Sequence, residues 1–266
     1  MLHKSLIEMG FCKKSILDNY IEMWDNLSVT GKVSCLHYDN YLIVDSNVED
    51  SGFNILIPKG RITATNLQEV KSYYKTKRKD FTIMSSVNYL TEVKEELAPF
   101  LAHKMYGLAR KTDGTNTFRN ALSNELSFIG IFKNAIITQD WKTILQTSFS
   151  MTNSASQQFL DILYSHTKES NNFNHTIAYI NENAASICSI LYSQDLVHAG
   201  LYNGASLGKH SYHKPFVSII NKQINDAFDR GYKWVVSQST PAATNALTKY
   251  LGFKIMDVYS YYKVLL

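Results

Sequence analysis

Ala199-Gly200-Leu201-Tyr202-Asn203-Gly204-Ala205-Ser206-Leu207 is the stretch on which the fold turns. Leu196 to Ala205 reads as a strand, and the period of two along a strand puts His198 and Tyr202 on one face. Downstream, Lys209 to Lys214 is a basic loop, and Phe216 to Arg230 is a helix closed by Gly231 as a left-handed cap. Lys233 to Ser237 follows as a strand. Pro241 to Tyr250 is a helix that starts on proline, and Lys254 to Val264 is a last strand rich in Tyr and Val. Upstream lie a strand at Leu126 to Phe132 and a helix opened by Thr138-Gln139-Asp140. A second helix over Ser154 to Ser165 and strands at His175 to Asn181 and Ala185 to Ser193 complete this half. The order is β-α-α-β-β-β-α-β-α-β.

Further out, residues 111–125 are polar, rich in turn formers and without apolar periodicity, which makes them the expected linker between residues 1–110 and 126–266. The first part opens with a helical pattern (Leu2, Leu6, Met9, Ile16, Tyr20, Met23, Trp24). Strands at Val33 to Tyr38 and Tyr41 to Asp45 flank the hairpin dipeptide Asp39-Asn40, and Phe53 to Ile57 stops at Pro58. Thr65 caps a helix through Val70 and Tyr73-Tyr74. Phe81 to Ser85 is a strand, and Thr91 to Met105 is expected to be helical. Alternating elements indicate an α/β (α+β) mixed-sheet protein in two packed halves.

A length of 266 residues against a prior of roughly 150 per domain agrees with two halves. With 45% hydrophobic and 19% charged residues and only 4 Pro, disordered, collagen-like and coiled-coil classes are excluded. No apolar run approaches the roughly 18 residues of a membrane helix, so a cytoplasmic protein without membrane partners is expected, as monomer or homodimer. Cys12, Cys35 and Cys188 are too widely spaced for a metal motif and odd in number, and read as small buried residues. The net charge of +4 is spread evenly. Its one cluster, Lys75, Lys77, Arg78 and Lys79, reads as a solvated helix end, so nucleic acid is not the expected partner.

The stretch 199–207, the helix closing on Asp229-Arg230-Gly231-Tyr232, Gln238-Ser239-Thr240 and Leu251-Gly252-Phe253 before a Tyr-rich strand resemble the GNAT acyltransferase superfamily over residues 126–266. Residues 1–110 resemble, more faintly, a divergent GNAT-like repeat. The resemblance implies an acyl-CoA N-acyltransferase-like fold in tandem, with acetyl-CoA as cosubstrate and an amine as acceptor. It places the cosubstrate on Ala205, Ser206 and Leu207 at the strand exit and on Tyr212, His213, Lys214 and Phe216 at the loop and helix start. Asn245 in the last helix completes that set. It puts the general acid at Thr248, where the family carries Tyr, and draws the base from the strand holding His198 and Tyr202. The acceptor would lie between the Ser148 to Ser154 loop and the first half.

Such chemistry needs backbone donors for a pyrophosphate, a splayed strand for the thioester arm, and a proton acceptor for the incoming ammonium. This sequence departs from the family at the phosphate loop. Ser211 to Phe216 has no loop glycine, and Pro215 removes an N–H donor. Lys209, His210, His213 and Lys214 can hold phosphate by side chains instead, or form an exposed basic loop on a protein that no longer binds the cofactor. His210 and His213 lack a third metal ligand, so no metal is expected. Tyr250 cannot stand in for the missing acid, because two residues along a helix turn a side chain by roughly 200°. Two other readings stay open: a non-catalytic GNAT-fold interaction module, and a nucleic-acid-associated protein.

Overall fold

Helix α1 (Leu2–Ser28) carries Cys12, Ile16, Tyr20, Met23 and Leu27 at spacings of three and four, a stripe that a helix turns to one side. That stripe lies across the middle of a mixed sheet, against strands from both ends of the chain. The computed structural model describes residues 2–112, 126–132, 135–208 and 214–266. Among them the strands are β1 (Val33–His37), β2 (Tyr41–Ser46), β3 (Ile55–Pro58), β4 (Phe81–Ser86), β5 (Leu101–Lys111) and β6 (Leu126–Gly130). They continue with β7 (Phe173–Ile180), β8 (Asn183–Tyr192), β9 (His198–Ser206), β10 (Trp234–Ser239) and β11 (Lys254–Val264). All eleven form one sheet in the order β1-β2-β3-β4-β11-β5-β10-β9-β8-β7-β6.

Two parallel pairs, β3 with β4 and β9 with β10, sit on either side of the central strands β11 and β5. Each parallel pair is bridged by a helix: α2 (Ala64–Lys77) in the first half and α6 (Pro215–Asp229) in the second. After each pair the chain passes through a short helix, α3 (Lys94–Leu97) or α7 (Pro241–Leu251), into one of the two central strands. The strand from each half then pairs with the other half: β11 lies beside β4, and β5 lies beside β10. The two halves are therefore divergent copies of one unit, interlocked by exchanged strands. The linker expected at 111–125 begins on the last residue of β5, and residues 113–125 lie outside the described residues.

Alternation along the strands feeds two layers of helices. One face packs α1, α4 (Ala135–Phe149) and α5 (Asn153–Glu169) over Ile177, Ile187, Leu191, Val236 and Tyr259. The other carries α6 and α7 over Ile190, Leu201, Val235 and Leu108, and α2 over Leu56, Ile83 and Tyr262. The expected helix over Thr91 to Met105 is corrected. The α-helical turn ends at Leu97, a 3-10 turn holding Pro99 runs on to Phe100, and Leu101–Lys111 becomes a strand because β10 and β11 offer hydrogen bonds on both of its edges. The basic run at the end of α2 is partly neutralised: Lys79 Nζ lies 2.5 Å and Lys77 Nζ 3.9 Å from Asp45.

Candidate functional site

The parallel strands β9 and β10 pair only from His198↔Trp234 to Leu201↔Ser237 and then separate. At the point of parting the Ser237 hydroxyl donates to the Leu201 carbonyl at 3.4 Å. The cause of the separation lies on the other edge of β9. Tyr202 pairs with Ser189 and Ala205 with Ile187, so β9 carries one residue more than β8 over this interval, and Asn203 takes the left-handed conformation (φ 53°). This bulge bends β9 away from β10. Asn203 Nδ2 donates to Ser189 Oγ at 3.2 Å, and Ser189 Oγ is bonded at 2.8 Å to Nδ1 of His175, whose pKa burial pushes down to about 3.

A cavity of about 480 Å³ opens at the parted strands and reaches both faces of the sheet. Toward α6 and α7 it is bounded by Leu201, Phe216, Ile220, Ala243 and Leu247. Toward α1, α4 and α5 it is bounded by an aromatic group in which Trp24 meets Phe53 edge-on (6.4 Å) and Phe53 tilts against Phe159 (4.7 Å). Met151, in the loop between α4 and α5, closes this side. The wall between the two ends is polar. Tyr202 donates to Asn19 Oδ1 (2.5 Å), and Tyr261 donates to Gln238 Oε1 (2.7 Å). Burial raises the pKa of Tyr20 to about 12 and holds Tyr202 and Tyr261 well above the ordinary phenol range, so all three stay protonated. Gln238 Nε2 is buried and meets no acceptor among the described residues.

Tyr202 and Phe216 line this cavity. Leu201 to Gly204 contribute the β9 wall, whereas Ala205, Ser206 and Leu207 lie past the bulge and turn to β8: Leu207 N–H donates to Ala185 O at 3.0 Å, and the Ser206 hydroxyl is bonded to that of Ser186. His198 shares the α1 face with Tyr202 but stands at the opposite end of β9, its Nδ1 2.5 Å from Asp195 Oδ2 and its ring 5.0 Å from Phe11. At about 3.3 Å per residue it is roughly 13 Å along the strand from Tyr202. Thr248 Oγ1 donates to the carbonyls of Thr244 (2.9 Å) and Asn245 (3.2 Å), and neither Thr248 nor the exposed Asn245 lines the cavity. Lys214 is the exposed residue preceding α6, and Tyr212 and His213 lie outside the described residues. Tyr20, Trp24, Phe53, His103, Gln238 and Tyr261 were not assigned to the site from the sequence, although Gln238 was part of the motif that carried the resemblance. Their common position comes from α1, the exchanged strands and the turn before β3, which no local pattern brings together.

No family model and no curated protein matches the sequence. Solved structures do match the fold. A GCN5-related N-acetyltransferase from Kribbella flavida superposes with a TM-score of 0.65 at 8% identity, over 92% of this chain and 95% of that one. A functionally unknown conserved protein from Staphylococcus epidermidis gives 0.64 at 10% identity, over 87% and 94%. A tandem GNAT protein from the clavulanic acid biosynthesis pathway gives 0.56 at 8% identity, over 94% and 95%. The chain has the tandem GNAT fold. Within that fold β9 and β10 part in the second unit, and the strand beside β10, β5, is supplied by the first. Among the described residues no helix is long and apolar enough to cross a membrane, and no group of three or more His, Cys, Asp or Glu is placed to hold a metal.

Proposed function

We propose that the protein is a cytoplasmic N-acetyltransferase that moves an acetyl group from acetyl-CoA to an amine by direct attack in a ternary complex. The single observation that carries this reading is the cavity running through the sheet where β9 and β10 separate. A thioester arm entering from the α6/α7 side meets strand edges whose peptide groups no longer pair with each other, and peptide-like groups in such a gap need partners. Gln238 Nε2 is a buried donor without an acceptor among the described residues, and a thioester or pantetheine carbonyl fits it. Residues 126–266 would carry the chemistry, with 1–110 as the divergent repeat and 111–125 as the link.

The phosphate end is weaker. In the first turn of α6 Pro215 has no N–H and Ser218 already donates to the Lys214 carbonyl at 2.9 Å, so two of the helix start's backbone positions hold no donor for an anion. Lys214 at the helix start then supplies charge that the backbone does not. The amine acceptor would enter from the α1/α4/α5 side, between Phe149 or Met151 and the aromatic residues of the first half. The thiolate leaves without help from Thr248, whose hydroxyl is committed to its own helix. The same two features, Pro215 and the committed Thr248, favour the second reading, a GNAT-fold module without catalysis.

Calorimetric titration with acetyl-CoA separates them. Saturable binding, weakened by Lys214→Ala, is expected. No binding at millimolar acetyl-CoA would overturn the enzyme reading.

A further inference from the structure

We propose that His103, on the strand that the first half inserts into the second, is the base that takes the proton from the acceptor ammonium. This inference rests on the N-acetyltransferase reading. His103 sits opposite Tyr261 in the β5–β11 register, and the two rings stack with centroids 4.8 Å apart and planes 13° from parallel. Both line the cavity. Because the Tyr261 hydroxyl reaches Gln238 on β10, the imidazole stands one aromatic ring away from the parted strands.

The other titratable groups lining the cavity do not suit the task. Asp50 uses Oδ1 to accept the Gly52 N–H (2.8 Å) within its own turn. Lys263 is an exposed residue of β11 opposite Thr82, toward β4 and away from the parted strands. Tyr20, Tyr202 and Tyr261 are kept protonated by burial. The imidazole of His103 is neutral at pH 7, since partial burial lowers its pKa from the usual value of 6.5. It is also solvent-exposed at the mouth, where a proton can be passed to water.

The step balances as follows. The acceptor R–NH3+ gives one proton to the imidazole. The nitrogen lone pair then forms the C–N bond to the thioester carbon, and the C–S electron pair goes to sulfur. The second proton shed by nitrogen goes to the thiolate. The products are an amide, a free thiol and an imidazolium, which returns its proton to water.

Two probe amines test this. Benzylamine is protonated at pH 7.5 and matches the aromatic compartment, whereas hydroxylamine is already neutral. His103→Phe, which can keep the stack on Tyr261, should lower kcat/KM for benzylamine by about 10²–10⁴-fold, the usual contribution of a general base. The loss for hydroxylamine should be at least roughly tenfold smaller, because no proton need be removed before attack. In the unmodified protein kcat/KM for benzylamine should show an inflection at the lowered imidazole pKa, and in His103→Phe that inflection should be lost, the rate then following only the fraction of free amine. Equal losses on both amines, an unchanged benzylamine rate, or an imidazole inflection that survives in His103→Phe would overturn the assignment. So would acetyl-CoA binding without transfer to either amine. His103→Gln, compared by thermal melting, guards against misfolding. Acetyl-CoA titration reads the underlying acyltransferase proposal separately, because a lost base leaves cofactor binding intact.

Discussion

The two halves of the sheet repeat one arrangement, yet treat the place where their parallel strands part in opposite ways. In the second half β9 is bulged at Asn203, Lys214 before α6 makes no side-chain cap hydrogen bond among the described residues, and the gap opens into a cavity lined in part by aromatic residues. In the first half the β2–β3 register runs without a break from Tyr41↔Pro58 to Val44↔Ile55. There α2 begins in a reciprocal Thr63–Asn66 capping box, and its Ala64 N–H is taken by Glu92 Oε1 at 3.1 Å. A groove of about 450 Å³ beneath α1 lies beside β3 and β4, and its lining mixes Tyr89 and Tyr259 with the charged residues Lys13, Lys14, Asp18, Lys59 and Asp257. One scaffold thus carries a bulged β8–β9 ladder in one half and a regular β2–β3 ladder with a capped helix in the other.

Removing the bulge residue should have the largest effect. Deleting Asn203 lets Gly204 take its place, after which Ala205 and Ser206 keep their partners Ile187 and Ser186 and the β8–β9 ladder becomes regular. The second half then resembles the first. Acetyl-CoA affinity is expected to drop at least about 100-fold, close to 2.7 kcal/mol, with cooperative unfolding retained. Near-normal affinity in a folded deletion variant would show that the bulge does not open the slot.

The polar support behind the bulge has no counterpart in the first half, where Leu42, Val44, Ile55 and Ile57 fill the corresponding core. His175 is therefore expected to tie stability to pH. Its folded pKa of about 3 lies below the unfolded value near 6.5, so the unfolded chain binds a proton that the folded chain refuses. Its contribution is complete above pH 6.5 and is lost as pH falls, by about 1.4 kcal/mol per unit. Urea unfolding of the unmodified protein and of His175→Phe at pH 7, 6 and 5 should diverge in slope by that amount. Parallel pH dependences would mean that His175 is not held neutral.

The second half was legible in the sequence because each of its elements is long, periodic and closed by a local signal, such as Pro241 at a helix start or Gly231 and Gly252 with positive φ at helix ends. Residues 101–111 were not, because Glu95, Glu96, Leu97, Ala98, Lys104 and Met105 favour a helix and only non-local pairing makes the later part a strand. The candidate site was legible in part. The period of two correctly placed His198 and Tyr202 on one face, but a period carries no information on where β10 leaves β9. It also fails across the bulge, which is why Ala205 to Leu207 face β8. His103 and Tyr261 meet only through strand exchange between the halves, so no spacing in the chain connects them.

The smallest expected effect concerns the helix that the first half has closed. Glu92 lies at the N-terminus of α2 and also pairs with Arg61 at 3.2 Å, so the protein's own carboxylate fills the place where a helix start would attract an anion. Glu92→Gln keeps the size of the side chain and removes its charge. It should cost about 0.3–1 kcal/mol of stability, the usual worth of a carboxylate at an exposed helix start. It should not create a second acetyl-CoA site, because β2 and β3 remain in regular register and no bulge separates β3 from β4. Calorimetry of Glu92→Gln with acetyl-CoA should therefore still give a stoichiometry of one. A stoichiometry of two would mean that the helix cap alone, and not the bulge, distinguishes the closed half from the open one.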